Sequence, residues 1–159
     1  MVTKWDNNIL LVAVDFTSYS EEALIFASEL AGCLNARLLV LHVIHDPAEA
    51  PGFYAQKGKN KKFLQSMEEA AEEMMDEFLT KIRQTYPDQK PIQEAMPLLV
   101  VGTPVRRIVE IAEKEKARMI IVGSHGRTGL SHLLVGSKAE RVVQLSPIPV
   151  TVVKASMKR

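Results

Sequence analysis

No internal disulfide is available to this chain, because Cys33 is its only cysteine. Cys33 falls inside an apolar helical pattern, which reads as a small buried packing residue rather than a reactive thiol and suits a reducing compartment. Nor does any apolar run approach the roughly 20 residues of a membrane-spanning helix. Met1 to Asn8 carries no basic segment followed by a hydrophobic one. Excess charge of one sign is missing as well: 20 Lys and Arg against 19 Asp and Glu leave a net charge of +1. That is too weak a field to favour nucleic acid or an anionic membrane. The expectation is a soluble, cytoplasmic protein with neither as a partner. With 47% apolar and 25% charged residues, the composition excludes global disorder. Residues 1–159 suffice for one core and are too few for two comfortable ones, so one domain is expected.

Two common phosphate loops are also absent. Lys138 follows Ser137 rather than a second glycine, so G-x-x-x-x-G-K-[ST] is not met, and no G-x-G-x-x-G follows the first apolar run. What is present is Ile120-Ile121-Val122-Gly123-Ser124-His125-Gly126-Arg127-Thr128-Gly129, and then Gly136-Ser137 opening a helical pattern. A buried strand runs into a glycine-rich turn that feeds the first turn of a helix. There, unpaired backbone N–H groups and the positive end of the helix dipole can hold an anion. The spacing places glycine where backbone must approach a ligand without a Cβ in the way.

Ile9 to Val14, Arg37 to Ile44, Leu98 to Val101, Met119 to Val122 and Val150 to Val153 are short apolar runs. They read as strands buried on both faces of a parallel sheet. Helical spacing recurs over Ala23 to Leu34, Met67 to Ile82, Val105 to Ala112 and Gly136 to Leu145, and Asp15, Thr17 and Ser18 or Ser20 offer N-cap chemistry. This alternation predicts an α/β fold, an open and mostly parallel sheet with helices on both faces. Ligands of such sheets bind beyond the carboxyl ends of the strands, where the strand order reverses.

The irregular stretch from His45 to Lys62, with Lys57, Lys59, Lys61 and Lys62, reads either as a solvated connection or as a lid lending charge to a polyphosphate. Pro87 to Pro91 reads as a helix-ending connector. Met67, Met74 and Met75 read as core, and the acidic run from Glu68 to Glu77 as a solvated face. Ser124 and His125 are neighbours of a kind that seldom face each other, outside any G-x-S-x-G elbow, and His42, His45 and Asp46 lack a fourth metal ligand. No catalytic or metal site is expected.

The spacing G-x2-G-x9-G-[ST] resembles the ATP-binding signature of the universal stress proteins. The resemblance spans residues 8–154 and includes Leu11 to Thr17, Leu38 to Ile44, Gly102-Thr103-Pro104 and Pro147 to Val153. It implies a single-domain, five-stranded, Rossmann-like sheet of order 3-2-1-4-5, akin to the adenine nucleotide α-hydrolases. The crevice then lies between the first and fourth strands, where Asp15 and Gly123 meet. It further implies that Gly123, Gly126, Gly136 and Ser137 hold phosphates and that the backbone of Val43 reads the adenine edge. Val14 and Val122 would form apolar walls, and Asp15 would stand beside the ribose and phosphates.

Two roles remain open for Arg127, a phosphate partner or a solvated charge, and two for Asp15, a ligand contact or a helix cap. Lys138 departs from the apolar residue common in relatives, and in the first helical turn it opposes the helix dipole until an anion binds. The implied function is an ATP-binding regulator of the stress response: a homodimeric switch, paired through the edge strand Ile148 to Val153. ATP, with or without Mg, alters its binding of an unidentified protein partner. Any hydrolysis is expected to be slow, for want of an arranged nucleophile or Walker-type lysine. The alternatives are a Mg-dependent ATPase or related nucleotide hydrolase on the same scaffold, and an ATP-independent dimeric interaction module.

Overall fold

Successive residues of the first strand, β1 (Ile9–Ala13), point to opposite sides, yet Ile9, Leu10, Leu11 and Val12 are all buried. A strand apolar on both faces must be covered on both faces. In the computed structural model, which describes residues 8–46, 57–125 and 135–154 with the side chains of 57–61 excepted, helices do this. The order continues α1 (Ser18–Leu34), β2 (Arg37–His45), α2 (Lys57–Thr85), α3 (Lys90–Gln93), β3 (Met96–Gly102), α4 (Pro104–Lys114), β4 (Met119–Gly123), α5 (Ser137–Leu145) and β5 (Val150–Val153).

All strand pairs are parallel and the sheet order is β3-β2-β1-β4-β5, as expected. Leu10 and Val12 pack with Leu24, Ala27, Met75, Leu79 and Ile92 of α1, α2 and α3 on one face. On the other face Leu11 and Leu41 pack with Ile108, Ile111 and Val142 of α4 and α5. The first crossover, through α1, covers one face and the crossover from β3 through α4 to β4 covers the other. Strand order therefore reverses between β1 and β4, and a crevice opens beyond their carboxyl ends.

The two sheet edges differ. The β2–β3 ladder runs unbroken through Pro97, so the nitrogen of Pro97, which has no hydrogen to give, faces the open side of β3. On β5, Ile120 donates to the carbonyl of Pro149 and Ser124 to that of Val153. By alternation, Val150 and Val152 turn their N–H and C=O groups to the open side.

Several expectations are corrected. β1 ends at Ala13, because Val14 leaves the strand after its N–H donates to Leu41 O at 2.8 Å. α2 begins at Lys57 rather than Met67, so the lysine run belongs to a helix and not to an irregular connection; residues 47–56 lie outside the described residues. The expected connector at Pro87 to Pro91 contains the start of α3, and β3 extends from Met96 to Gly102. Cys33 is exposed, not buried, since Leu24, Ala27 and Ala31 form the inward stripe of α1 and Cys33 lies off it. Of the methionines, Met75 is core, whereas Met74 is exposed. The acidic run of α2 is solvated as expected. Among the described residues, no helix is long and apolar enough to cross a membrane.

Candidate nucleotide cleft

At the carboxyl ends of β1, β2 and β4 lies a cleft of about 410 Å³. It is within the range of small-molecule sites. Of the residues expected to form a site, Val14, Asp15, Val43, Val122, Gly123, Gly136, Ser137 and Lys138 all line it. Gly126 and Arg127 lie outside the described residues.

Each contributing group is positioned by its element. Main-chain direction on β2 alternates: Arg37 donates to Asn8 O, and Leu41 accepts from Val14 N. By that alternation Val43 turns its N–H and C=O toward the β1 side, one step past the point where β1 leaves the ladder. Beside it, Nδ1 of His42 donates to Val14 O at 2.8 Å and the ring rests 4.3 Å from that of Phe16. His42 is thereby engaged in packing, and no cluster of three or more His, Cys, Asp or Glu that could hold a metal occurs among the described residues.

One end of the cleft is built by α5. Gly136 is its N-cap and brings no side-chain cap, and Ser137, Lys138 and Ala139 of the first turn all line the cleft. The donors of that turn and the positive end of the helix dipole make an anion-receptive surface. Ser124 ties this end to the sheet: its N–H donates to Val153 O at 2.8 Å and its carbonyl accepts from Gly136 N at 2.6 Å. Its hydroxyl lies 2.9 Å from Nδ1 of His125, whose ring sits 5.2 Å from that of Tyr19. The two neighbours thus do meet, contrary to the reading of their sequence alone.

Asp15 stands at the mouth, just after β1. The N-cap of α1 is Thr17 rather than Asp15, and Thr17 accepts from Ser20 N. The Asp15 carboxylate braces that cap, since Oδ1 accepts from Thr17 Oγ1 at 2.5 Å and from Ser20 Oγ at 2.6 Å. The far wall is apolar and was not anticipated: Met67, Ala70, Ala71 and Met74 from α2, with Pro104 and Ile108 from α4. The helical spacing of the α2 residues was legible; what it could not show is that this stripe outruns the sheet and overhangs the crevice.

A second hollow of about 180 Å³, at Thr103, Arg106, Arg107 and Glu110, is lined by residues that pair with one another, Arg106 and Arg107 both with Glu110. Hydrogen bonds from Arg106 and then Arg107 hold the Glu110 carboxyl below its usual range.

The profile of the universal stress protein family matches residues 7–154. The chain belongs to the universal stress protein family. It is 31% identical over 152 residues to universal stress protein MJ0577 of Methanocaldococcus jannaschii, covering 91% of this chain and 93% of that protein. The solved structure of MJ0577 matches with a TM-score of 0.71, at 30% identity over 93% of this chain and 96% of that one. Against universal stress protein Rv2623 of Mycobacterium tuberculosis the identity is 34% over 150 residues, 93% of this chain and 46% of that protein, so the chain spans about half its length. The universal stress protein of Archaeoglobus fulgidus solved in complex with dAMP shares the fold, with a TM-score of 0.60 at 24% identity over 91% of this chain and 96% of that one.

Proposed function

We propose that this universal stress protein binds an adenine nucleotide, ATP with or without Mg, at the switch-point cleft, and that occupancy alters how it engages other proteins. One observation carries the reading. Val43, with its main chain turned to the β1 side, Asp15 and the uncapped first turn of α5 all line the same cleft. They supply, in turn, an edge for the base, an acceptor for ribose hydroxyls and donors for phosphate. The apolar wall from α2 and the side chains of Val14 and Val122 suit the faces of the base. Lys138, in the first turn, adds positive charge where phosphate would lie. The dAMP of the Archaeoglobus fulgidus protein is a property of that protein; the cleft's own groups bring the reading to this chain.

Binding is the proposed function and any hydrolysis is slow. Mass spectrometry of small molecules released from freshly purified protein, together with titration calorimetry, tests it. ATP in the wild type and none in Gly126→Val is the expected result. A protein that is empty and takes up no ATP at millimolar ligand overturns the reading and leaves the interaction module.

We also infer a homodimer through β5. The N–H groups of Val150 and Val152 face the open edge, and Val143 and Leu145, just ahead in the chain, are exposed apolar residues. A strand edge of this kind pairs readily. Val152→Pro removes an outward donor while sparing the ladder to β4. Light scattering at micromolar concentration should give twice the chain mass for the wild type and the single chain mass for Val152→Pro. A monomeric wild type excludes the dimer.

A further inference from the structure

We propose that Ser20 is a positioning residue for ligand recognition: its hydroxyl clamps Asp15 so that the carboxylate meets a ribose hydroxyl donor in the cleft. The inference rests on the nucleotide reading above and adds to it the device that orients its acceptor.

Three observations converge on Ser20. It is 3% exposed, and it lines the cleft although it belongs to the first turn of α1. Its hydroxyl grips Asp15 at two points, accepting from the main-chain N–H at 3.1 Å and donating to Oδ1 at 2.6 Å. Finally, Oδ1 takes two more donors, Thr17 N at 3.2 Å and Thr17 Oγ1 at 2.5 Å. A carboxylate oxygen has two lone-pair directions, so three donors on one oxygen leave the group little freedom to rotate.

The backbone is bent to allow this. Phe16, between Asp15 and Thr17, has φ of 64°, a left-handed conformation that a bulky side chain rarely adopts. The strain is held by packing, with the Phe16 ring 4.3 Å from that of His42 and 5.6 Å from that of Phe78. Capping of α1 alone needs only Thr17, as most helices are capped by one side chain. The strained turn and the second hydroxyl do something more. They fold Asp15 back against the helix start and fix its carboxylate on Thr17 and Ser20, at a residue that lines the cleft with Val14 and Gly123.

An acceptor held this firmly discriminates between a ligand that offers a hydroxyl and one that lacks it. Titration calorimetry with ATP and 2′-deoxy-ATP, on the wild type, Ser20→Ala, Asp15→Ala and the double variant, tests the clamp. Ser20→Ala should weaken ATP roughly tenfold, the equivalent of one good hydrogen bond. It should also bring the ratio of the two affinities toward that of Asp15→Ala, and add little when Asp15 is already gone. Ser20→Cys keeps the volume without the strong donor and should behave like Ser20→Ala, whereas Ser20→Thr keeps the hydroxyl and should retain the wild-type ratio. If Ser20→Ala weakens both nucleotides equally, or costs the same with and without Asp15, Ser20 serves only the helix start and the proposal fails. A wild type with no affinity for ATP overturns the nucleotide reading, and the clamp's role with it; wild-type affinity left unchanged by Ser20→Ala overturns the clamp alone.

Discussion

A Gly123→Val chain is expected to lose stability and, with it, the nucleotide affinity proposed for the cleft. Gly123 ends β4, and a Cβ placed there would stand 3.0 Å from both the carbonyl carbon and the oxygen of Tyr19. Those are backbone atoms in the first turn of α1, which cannot swing aside as a side chain can. Forcing extra carbon into packed structure costs roughly 1–3 kcal/mol, and the two further methyls of valine should place this variant at the upper end. For a chain of 159 residues that is about 5–10 °C in melting temperature. The functional loss has the same origin. To relieve the clash α1 must move off β4, carrying Thr17 and Ser20 and so the carboxylate they brace. Gly123→Ala should lie between. A valine variant that melts with the wild type, or binds ATP as well, would show that α1 yields there freely.

The second large effect is expected from Leu11→Ala. Leu11 is 0% exposed, sits on the central strand and packs into the core beneath α4 and α5. Truncating such a leucine removes its burial and leaves a cavity that neighbouring strands cannot close, a cost of about 2–5 kcal/mol. Chemical denaturation should register it as a lowered midpoint at unchanged slope. Phe63→Ala is the control: Phe63 is larger but 54% exposed on α2, and its loss should stay within about 0.5 kcal/mol. Equal losses from the two would contradict the assignment of the core.

What the sequence made legible was whatever repeats with the period of its element. The continuous runs at β1, β2 and β4 name strands covered on both faces, and the alternation of strands with helices gives the layered sheet. The first turns of α2 were not legible, because Lys57 to Lys62 has no apolar member to mark a helical face. β3 was shortened in the reading by Pro97, which is tolerated because the strand is at an edge.

At the cleft, Asp15 and Gly123 could be named in advance because chain topology brings strand ends together, and Val43 and Gly136 through the resemblance to the universal stress proteins. Ser20 could be named only as a possible cap, since its grip on Asp15 depends on the left-handed turn at Phe16, and nothing in the residue pattern announces a positive φ there. The contact of Ser124 with His125 likewise depends on how one turn is folded and not on spacing.

The donor-less nitrogen of Pro97 bears on how far this protein can assemble. A sheet with two pairable rims could add chains without limit, as fibres do. Here one rim is broken by an imino acid, and the other, if it pairs with its own copy, uses the same patch twice and closes. Both outer rims of the product would then be β3, each interrupted at Pro97. Strand addition at those rims would lack one donor of its ladder, so crowding the protein should raise the population of the closed pair ahead of any longer polymer.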